Sequence, residues 1–422
     1  MENTDKNIDN VSGKKVFIIG SSAAEFTLAK KLSESDEIAQ VFVAPGMDAM
    51  KDFCTIVDIR EQNVQELLEF ALENAIDMTI AASETAIKND IATLFQQNNQ
   101  MIFAPTKDSA SICLYKSVGK KFMYKNRIPC SKFGIFDKAS LAIDYAKNAS
   151  MPIVVKTDEN QEKGVLVCNA FSVAKDFIED LFEKGEKKVI IEDYAYGHEF
   201  SFYVITDGYH ALPLGSVATY KSELEGNGGL MTPGVGAFTP DYKVSQQVER
   251  KIFQNIIYPT LSSLAHSHTP YVGILGVDLI MDENEQLYAL KFNSFLQVPD
   301  AQVILALLNE NIYSLLEACV VGSFADDYNY IDIEDKSAVS CVLSSLGEDK
   351  IISELDEVDD ETQLAFFNIR KNQYLEYETK KGRTIILTRT ARVLSKAVSD
   401  LYEEIEVVKF DGGMKFRNDI GK

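Results

Sequence analysis

Pro152-Ile153-Val154-Val155-Lys156, a polar turn from Thr157 to Glu162, Lys163-Gly164 and then Val165-Leu166-Val167 form the stretch that decides the fold. Two β-branched runs of strand length flank a lysine–glycine loop, the pattern of a hairpin flap. Backbone N–H groups and lysines on such a flap can lie over phosphates. Val173, Phe177, Leu181 and Phe182 follow as one amphipathic stretch. Val189-Ile190-Ile191 then runs into Glu192-Asp193-Tyr194 and Gly197-His198-Glu199-Phe200-Ser201. The edge of that strand offers backbone groups to an adenine, Tyr194 an apolar face, and Glu199 an acceptor for a ribose hydroxyl. A lysine at a strand end is, alone, most often a solvated edge residue. What carries the nucleotide reading is the order: strand, lysine, loop, Lys-Gly, strand, helix, strand, Glu-x-Tyr, Glu-x-Ser.

A chain of 422 residues is long enough for two to four domains with ample core. Its hydrophobic content of 46% and charged content of 25% are those of a globular protein. The net charge of −22 argues against non-specific binding to nucleic acid or to an anionic membrane, because phosphate contacts need a basic face. A nucleotide site is local and survives that balance, but placed lysines, N–H groups or a metal must hold the phosphates against a repulsive field. The six cysteines show no Cys-x-x-Cys spacing, so neither zinc nor a redox motif is indicated, and reduced thiols in a cytoplasmic protein are expected. The first fourteen residues are polar, so no secretory leader is expected. No segment approaches the ~20 apolar residues that span a bilayer.

Residues 1–13 read as a disordered tail. Lys15-Val16-Phe17-Ile18-Ile19-Gly20, a helical Ser21–Leu32 and Val41-Phe42-Val43-Ala44 open a doubly wound α/β domain over 14–105. A dinucleotide fingerprint would need glycines at 20, 22 and 25, where the chain has Gly20, Ser22 and Glu25, which argues against a nicotinamide dehydrogenase. Met78–Ala81 is a strand with Ser83-Glu84-Thr85 at its carboxyl end, where ligands sit in such sheets. Asp108 caps one helix carrying Ile112, Tyr115, Val118 and Phe122, with Lys116 beside that stripe. Lys221–Pro240, with five glycines, reads as a loop able to approach a ligand closely. In Leu287–Asn293, alternation puts Leu287, Ala289, Lys291 and Asn293 on one face. An acidic linker over 323–336 leads to a small α+β domain at 336–422.

Taken together, these stretches resemble glycinamide ribonucleotide synthetase, the phosphoribosylamine–glycine ligase family of ATP-grasp enzymes. The residues that carry the resemblance are Val16–Ser21, Val41–Gly46, Lys116-Ser117, Pro152–Lys156, Lys163-Gly164-Val165, Ile191–Ser201, Gly234–Pro240, Phe292-Asn293, Pro299–Gln302, Lys381-Gly382-Arg383 and Phe416–Gly421. The resemblance implies an α/β fold with an N-terminal doubly wound (pre-ATP-grasp) domain, an ATP-grasp core over 106–325 with a lid at about 125–195, and a C-terminal α+β domain. It implies ATP-dependent joining of glycine to the amine of phosphoribosylamine through an acyl phosphate, in purine biosynthesis. Lys116, Lys156, Lys163 and Gly164 then fall on the phosphates, Glu192 and Tyr194 on the adenine hinge, and Glu199 on the ribose. Gly20, Ser21 and Glu84 fall on the sugar-phosphate substrate, Lys221 and Lys291 on the reacting centre, and Asp278 and Asn293 on Mg²⁺. Partners would be small molecules, with neither nucleic acid nor membrane, for a monomer or homodimer.

Several positions depart from the family's pattern. Its Glu-Phe-Asn metal motif reads Lys291-Phe292-Asn293 here, and an ammonium has no lone pair for Mg²⁺. Its glycine-containing flap reads Asp158-Glu159-Asn160-Gln161-Glu162, whose three carboxylates are expected to oppose a triphosphate. The Arg-Glu-His that follows the first strand in the family reads Ala24-Glu25-Phe26. Two alternatives to the ligase therefore stand: a catalytically impaired paralogue that binds a nucleotide or a protein, and an ATP-grasp ligase with a changed substrate.

Overall fold

The computed structural model describes residues 13–159, 164–367, 369–380 and 382–422. Residues 1–12 of the expected 1–13 tail and the flap residues 160–163, Lys163 among them, lie outside the described residues. In the N-terminal domain, strands Lys14–Gly20, Ile38–Pro45, Thr55–Ile56, Met78–Ala81 and Ile102–Phe103 form one parallel sheet. The first strand lies between the second and the fourth. Connections therefore leave in opposite directions at the ends of Gly20 and Ala81, the switch point where ligands sit in such sheets. Both faces of the sheet are covered, and Val16 to Ile19 are fully buried, as their unbroken apolar run requires.

The lid is a four-stranded antiparallel sheet in the order Phe133–Phe136, Val189–Asp193, Ile153–Thr157, Val165–Cys168. Helices Ala139–Asn148 and Phe171–Glu183 pack on it through Ala142, Ala146, Ala174, Ile178 and Leu181. The hairpin flap is thus present, with its tip beyond the described residues.

The core sheet runs through strands 287–293, 272–281, 198–207, 211–224, 228–239, 337–345, 382–391 and 363–366. Strands from beyond residue 336 continue the core sheet, because Gly236–Thr239 pairs with Ala338–Cys341. The 323–336 linker includes a one-turn helix, Phe324–Asp327, and a bridge from Ile333 to Leu308. The glycine-rich segment expected as a loop is instead a two-stranded ribbon, Ala211–Leu224 with Gly228–Thr239. Gly234 and Gly236 in it serve close packing. A Cβ at Gly236 would lie 2.5 Å from Ile420 of the chain's C-terminal turn, and one at Gly234 (φ +148°) 2.5 Å from Pro299. That last turn is tied down by Arg417, which bonds Asp419, donates to the Ser222 carbonyl at 3.0 Å and lies over the Tyr220 ring.

Asp300 is buried beneath this sheet and accepts from Thr219 Oγ1 at 2.7 Å and Tyr203 Oη at 2.8 Å. Burial pushes its carboxyl up to about 6. A folded-state value above the unfolded one gives stability that is full below pH ~4 and lost as pH rises through about 6. The shift corresponds to about 3 kcal/mol. Urea unfolding from pH 4 to 7 should show the wild type losing about 2–3 kcal/mol relative to Asp300→Asn, whose profile lacks this titration. Parallel profiles would place the charge elsewhere.

Candidate active site

Lid and core meet at Glu192. The strand Val189–Asp193 is paired on both sides, so the backbone of Glu192 is committed to the sheet. Its carboxylate lies between two ammoniums, Lys120 Nζ at 2.9 Å and Lys156 Nζ at 2.9 Å. Burial alone would raise this carboxyl, but Lys156 and Lys120 hold it below its usual range. Lys120, missed at the level of sequence because it reads as one more helix lysine, also donates to the Ala289 carbonyl at 3.2 Å. Glu192 thus orients Lys156. The strand ends at Asp193, and the ring of Tyr194 beyond it meets Tyr196 edge-on at 4.8 Å.

The helix expected to run through Lys116 is two helices, Lys107–Leu114 and Lys116–Lys125, broken at an extended Tyr115. Thr106, rather than Asp108, caps the first. The break places Lys116 at a helix N-terminus, where the flap base closes it. Lys116 N donates to the Asp158 carbonyl at 2.8 Å, and Asp158 accepts from Ser117 N at 2.8 Å and Ser117 Oγ at 3.0 Å. A carboxylate there satisfies otherwise unpaired N–H groups and suits the helix dipole. Glu159 pairs with Lys88 at 2.8 Å. Two of the three flap carboxylates expected to repel a triphosphate are therefore engaged, and the third, Glu162, lies outside the described residues. Gly164 closes the hairpin, its carbonyl accepting from Thr157 N at 2.8 Å.

Lys116 Nζ donates to the Glu159 carbonyl at 2.6 Å. Burial, then the charges of Lys291 and Lys156, push its ammonium down to about 7, with Glu84 and Asp158 opposing. Lys156 of the lid strand and Lys291 of the core strand thus lie close enough for their charges to act on Lys116. Glu84, at the start of helix Glu84–Lys88, borders the same cleft.

Deeper in the cleft, Asp278 gathers donors. Its Oδ1 accepts from Ser201 Oγ at 3.0 Å and Asn293 Nδ2 at 2.8 Å, and its Oδ2 from Lys221 Nζ at 2.8 Å. Lys291 Nζ lies 3.8 Å from the same Oδ2. Burial would raise this carboxyl, but Lys221 and Lys291 hold it well below the usual carboxylate range. Lys221 also donates to Glu199 Oε1 at 2.7 Å. Simple alternation fails in strand Leu287–Asn293. Its register shifts between Ala289 and Lys291, so Leu287, Ala289 and Phe292 share one core cluster while Lys291 turns to Asp278. A bulge of this kind re-aims a side chain at a site.

Gly20 and Ser21 occupy a separate corner. Ser22 and Glu25 form a capping box in which Ser22 N donates to Glu25 Oε2 at 2.6 Å. A Cβ at Gly20 (φ +151°) would lie 2.6 Å from the Glu25 side chain. This helix N-terminus is therefore occupied by the chain's own carboxylate. Glu61, unremarked in the sequence, links Ser21 Oγ (3.5 Å) to Ser83 Oγ. Beside them, Ser21, Gly46, Met47, Asp48, Ile369 and Lys380 line a cavity of about 280 Å³ between the N-terminal and C-terminal segments.

A small antiparallel lid set against a larger antiparallel sheet, with lysines converging on the cleft between them, is the architecture of the ATP-grasp class. A crystal structure of phosphoribosylamine–glycine ligase from Thermotoga maritima superposes with a TM-score of 0.82 at 22% identity, covering 96% of this chain and 99% of that one. The biotin carboxylase domain of Hydrogenobacter thermophilus 2-oxoglutarate carboxylase does so at 0.72 and 16% identity, covering 96% and 91%. The phosphoribosylglycinamide synthetase N domain matches residues 14–112, and its ATP-grasp (A) domain residues 115–301. The phosphoribosylamine–glycine ligase of Clostridium acetobutylicum is 30% identical over 421 residues, covering 97% of this chain and 99% of that protein. The chain belongs to the phosphoribosylamine–glycine ligase family, ATP-grasp ligases of purine biosynthesis.

Such domains bind ATP and typically Mg²⁺, but the residues at Asp278 do not fit a divalent ion. Both its oxygens face donors, and Asn293 turns its amide nitrogen to it. Among the described residues no group of three or more His, Cys, Asp or Glu is placed to hold a metal. No helix among them is long and apolar enough to cross a membrane.

Two outcomes follow from this geometry. Glu192→Gln leaves two buried ammoniums without their counter-charge and should cost roughly 3 kcal/mol in urea unfolding; an unchanged midpoint would show that the lysines relax to solvent. Lys116 is charged below about pH 7, and phosphates favour its charged form. ATP binding at pH 8 should therefore take up a proton, read as a dependence of the calorimetric enthalpy on buffer ionisation, and affinity should fall as pH rises above 7. Lys116→Met should abolish the uptake.

Proposed function

We propose that the cleft between lid and core binds ATP, with Lys116, Lys156 and Lys291 meeting the phosphates, and that it joins a carboxylate to an amine through an acyl phosphate. The observation that carries this reading is the convergence of those three ammoniums, from three different elements, in a chain of net charge −22. Neighbouring ammoniums in so acidic a protein make a local positive field that suits an anionic ligand. In this proposal the backbone after Glu192 and the ring of Tyr194 take the adenine, and Glu199 takes a ribose hydroxyl with the oxygen that does not face Lys221. Lys221 holds Glu199 and Asp278 in place. Gly164, at the base of the flap, lies toward the phosphates. Glycine supplies the carboxylate and phosphoribosylamine the amine. The sugar phosphate lies toward Ser21 and Gly20, with Glu84 at the entrance. Six free thiols suit the cytoplasm.

In chemical terms, a carboxylate oxygen attacks the γ-phosphorus and ADP leaves. The amine nitrogen then attacks the acyl carbon, and phosphate departs. The protein's ammoniums neutralise charge on the transferring group, which is where catalysis of phosphoryl transfer mostly lies. A second reading, nucleotide binding without turnover, rests on the Glu25 carboxylate that occupies the helix N-terminus beside Gly20.

Growth rescue of a strain lacking the purine enzyme, with ADP release measured in the presence of glycine and phosphoribosylamine, separates the two. The ligase reading predicts rescue and ADP release that needs both substrates. ATP binding without either result would support the second reading. Lys116→Met should weaken ATP binding roughly 10- to 100-fold, the range of one charge-assisted hydrogen bond. Unchanged affinity would remove Lys116 from the phosphate site.

A further inference from the structure

The corner around Asp278 is built with its charges reversed from what a metal site needs. A divalent cation there would meet two ammoniums and an amide N–H₂, all donors, and the carboxylate beneath them is already shared. We propose that this corner holds nucleotide phosphates without a divalent ion, Lys291 supplying from the protein the positive charge that an ion would bring. The proposal rests on the nucleotide-binding reading above.

The division of labour between the two lysines supports it. Lys221 lies 2.8 Å from Asp278 and 2.7 Å from Glu199, so both carboxylates hold it. Lys291 stands off at 3.8 Å from the same Asp278 oxygen and is the more open of the two, 31% exposed against 20%. Asp278 can match one ammonium closely, and Lys221 takes that place. Lys291 remains loosely tied, 3.8 Å from Asp278, and its charge is felt at Lys116. The repulsion that Lys291 and Lys156 exert on the Lys116 ammonium is relieved when an anion arrives. The bulge before Lys291 is the backbone feature that turns it there.

A preference follows from charge. Uncomplexed ATP carries about two more negative charges than its Mg²⁺ complex, and a cleft of fixed ammoniums favours the more negative form. Mg²⁺ also has to be accommodated as part of the complex, and it finds donors where it needs lone pairs.

The test is calorimetry of ATP binding to the full chain in EDTA and in excess MgCl₂, with Lys291→Met and Lys291→Glu beside the wild type. Thermal unfolding of each variant confirms that it is folded; Lys291 is partly exposed, so both should be. We expect wild-type affinity in EDTA to equal or exceed that in MgCl₂. Lys291→Met should lose roughly tenfold or more in EDTA. Lys291→Glu should reverse the preference, binding more tightly with Mg²⁺ than without. Wild-type binding at least tenfold tighter with Mg²⁺ would overturn the proposal and leave the nucleotide-binding reading intact. So would an unchanged EDTA affinity in a folded Lys291→Met. Absence of ATP binding in both buffers would overturn both.

Discussion

Glu192, sealed between Lys120 of the core helix and Lys156 of the lid strand, is the contact on which the cleft depends. A carboxylate out of water is tolerated only with counter-charges and hydrogen bonds around it. Here those charges come from two different parts of the fold. Lys120 is anchored in turn on the Ala289 carbonyl of the core sheet. A path of polar contacts therefore runs from the core strand through the helix to the lid sheet, and it fixes where Lys156 points. Removing Glu192 leaves two buried ammoniums unmatched, so the position of the lid and that of Lys156 are set by the same atoms.

The same logic repeats with different partners. Asp158 closes the N-terminus of the helix that begins at Lys116, which ties the base of the flap to the floor of the cleft. Glu159 reaches Lys88 of the N-terminal domain. Asp278 holds Lys221, Ser201 and Asn293 at the bottom. An acidic chain thus uses its carboxylates as anchors for lysines, leaving cationic charge facing the space between lid and core. Family membership supplies the reaction class, and the particular residues of this chain decide how charge is handled within it.

Much of this was legible in the sequence. The β-branched runs at 152–156 and 165–167 marked the flap, and the apolar run at 15–20 marked the first strand of a parallel sheet. The family resemblance rested on ordered short motifs and is borne out by near full-length similarity. Other features depended on contacts that no local pattern encodes. The resemblance puts Glu192 on an adenine hinge, and nothing in its neighbourhood announces its pairing with Lys120. The break at Tyr115 arises because Asp158, distant in sequence, offers a cap to the next helix. The glycines at 226–236 read as a loop, though Gly234 and Gly236 are small because Pro299 and Ile420 press against them. Alternation misplaced Ala289 because a bulge resets the faces.

The central claim is that fixed ammoniums, rather than a bound ion, hold phosphate charge at the bottom of this cleft. It is tested most directly by crystals grown with a non-hydrolysable ATP analogue and Mn²⁺, with data collected for the anomalous signal of manganese. The account predicts triphosphate oxygens within hydrogen-bond distance of the Lys116, Lys156 and Lys291 ammoniums and no anomalous peak beside Asp278. A manganese peak coordinated by Asp278 and Asn293, with Lys291 turned away, would contradict it.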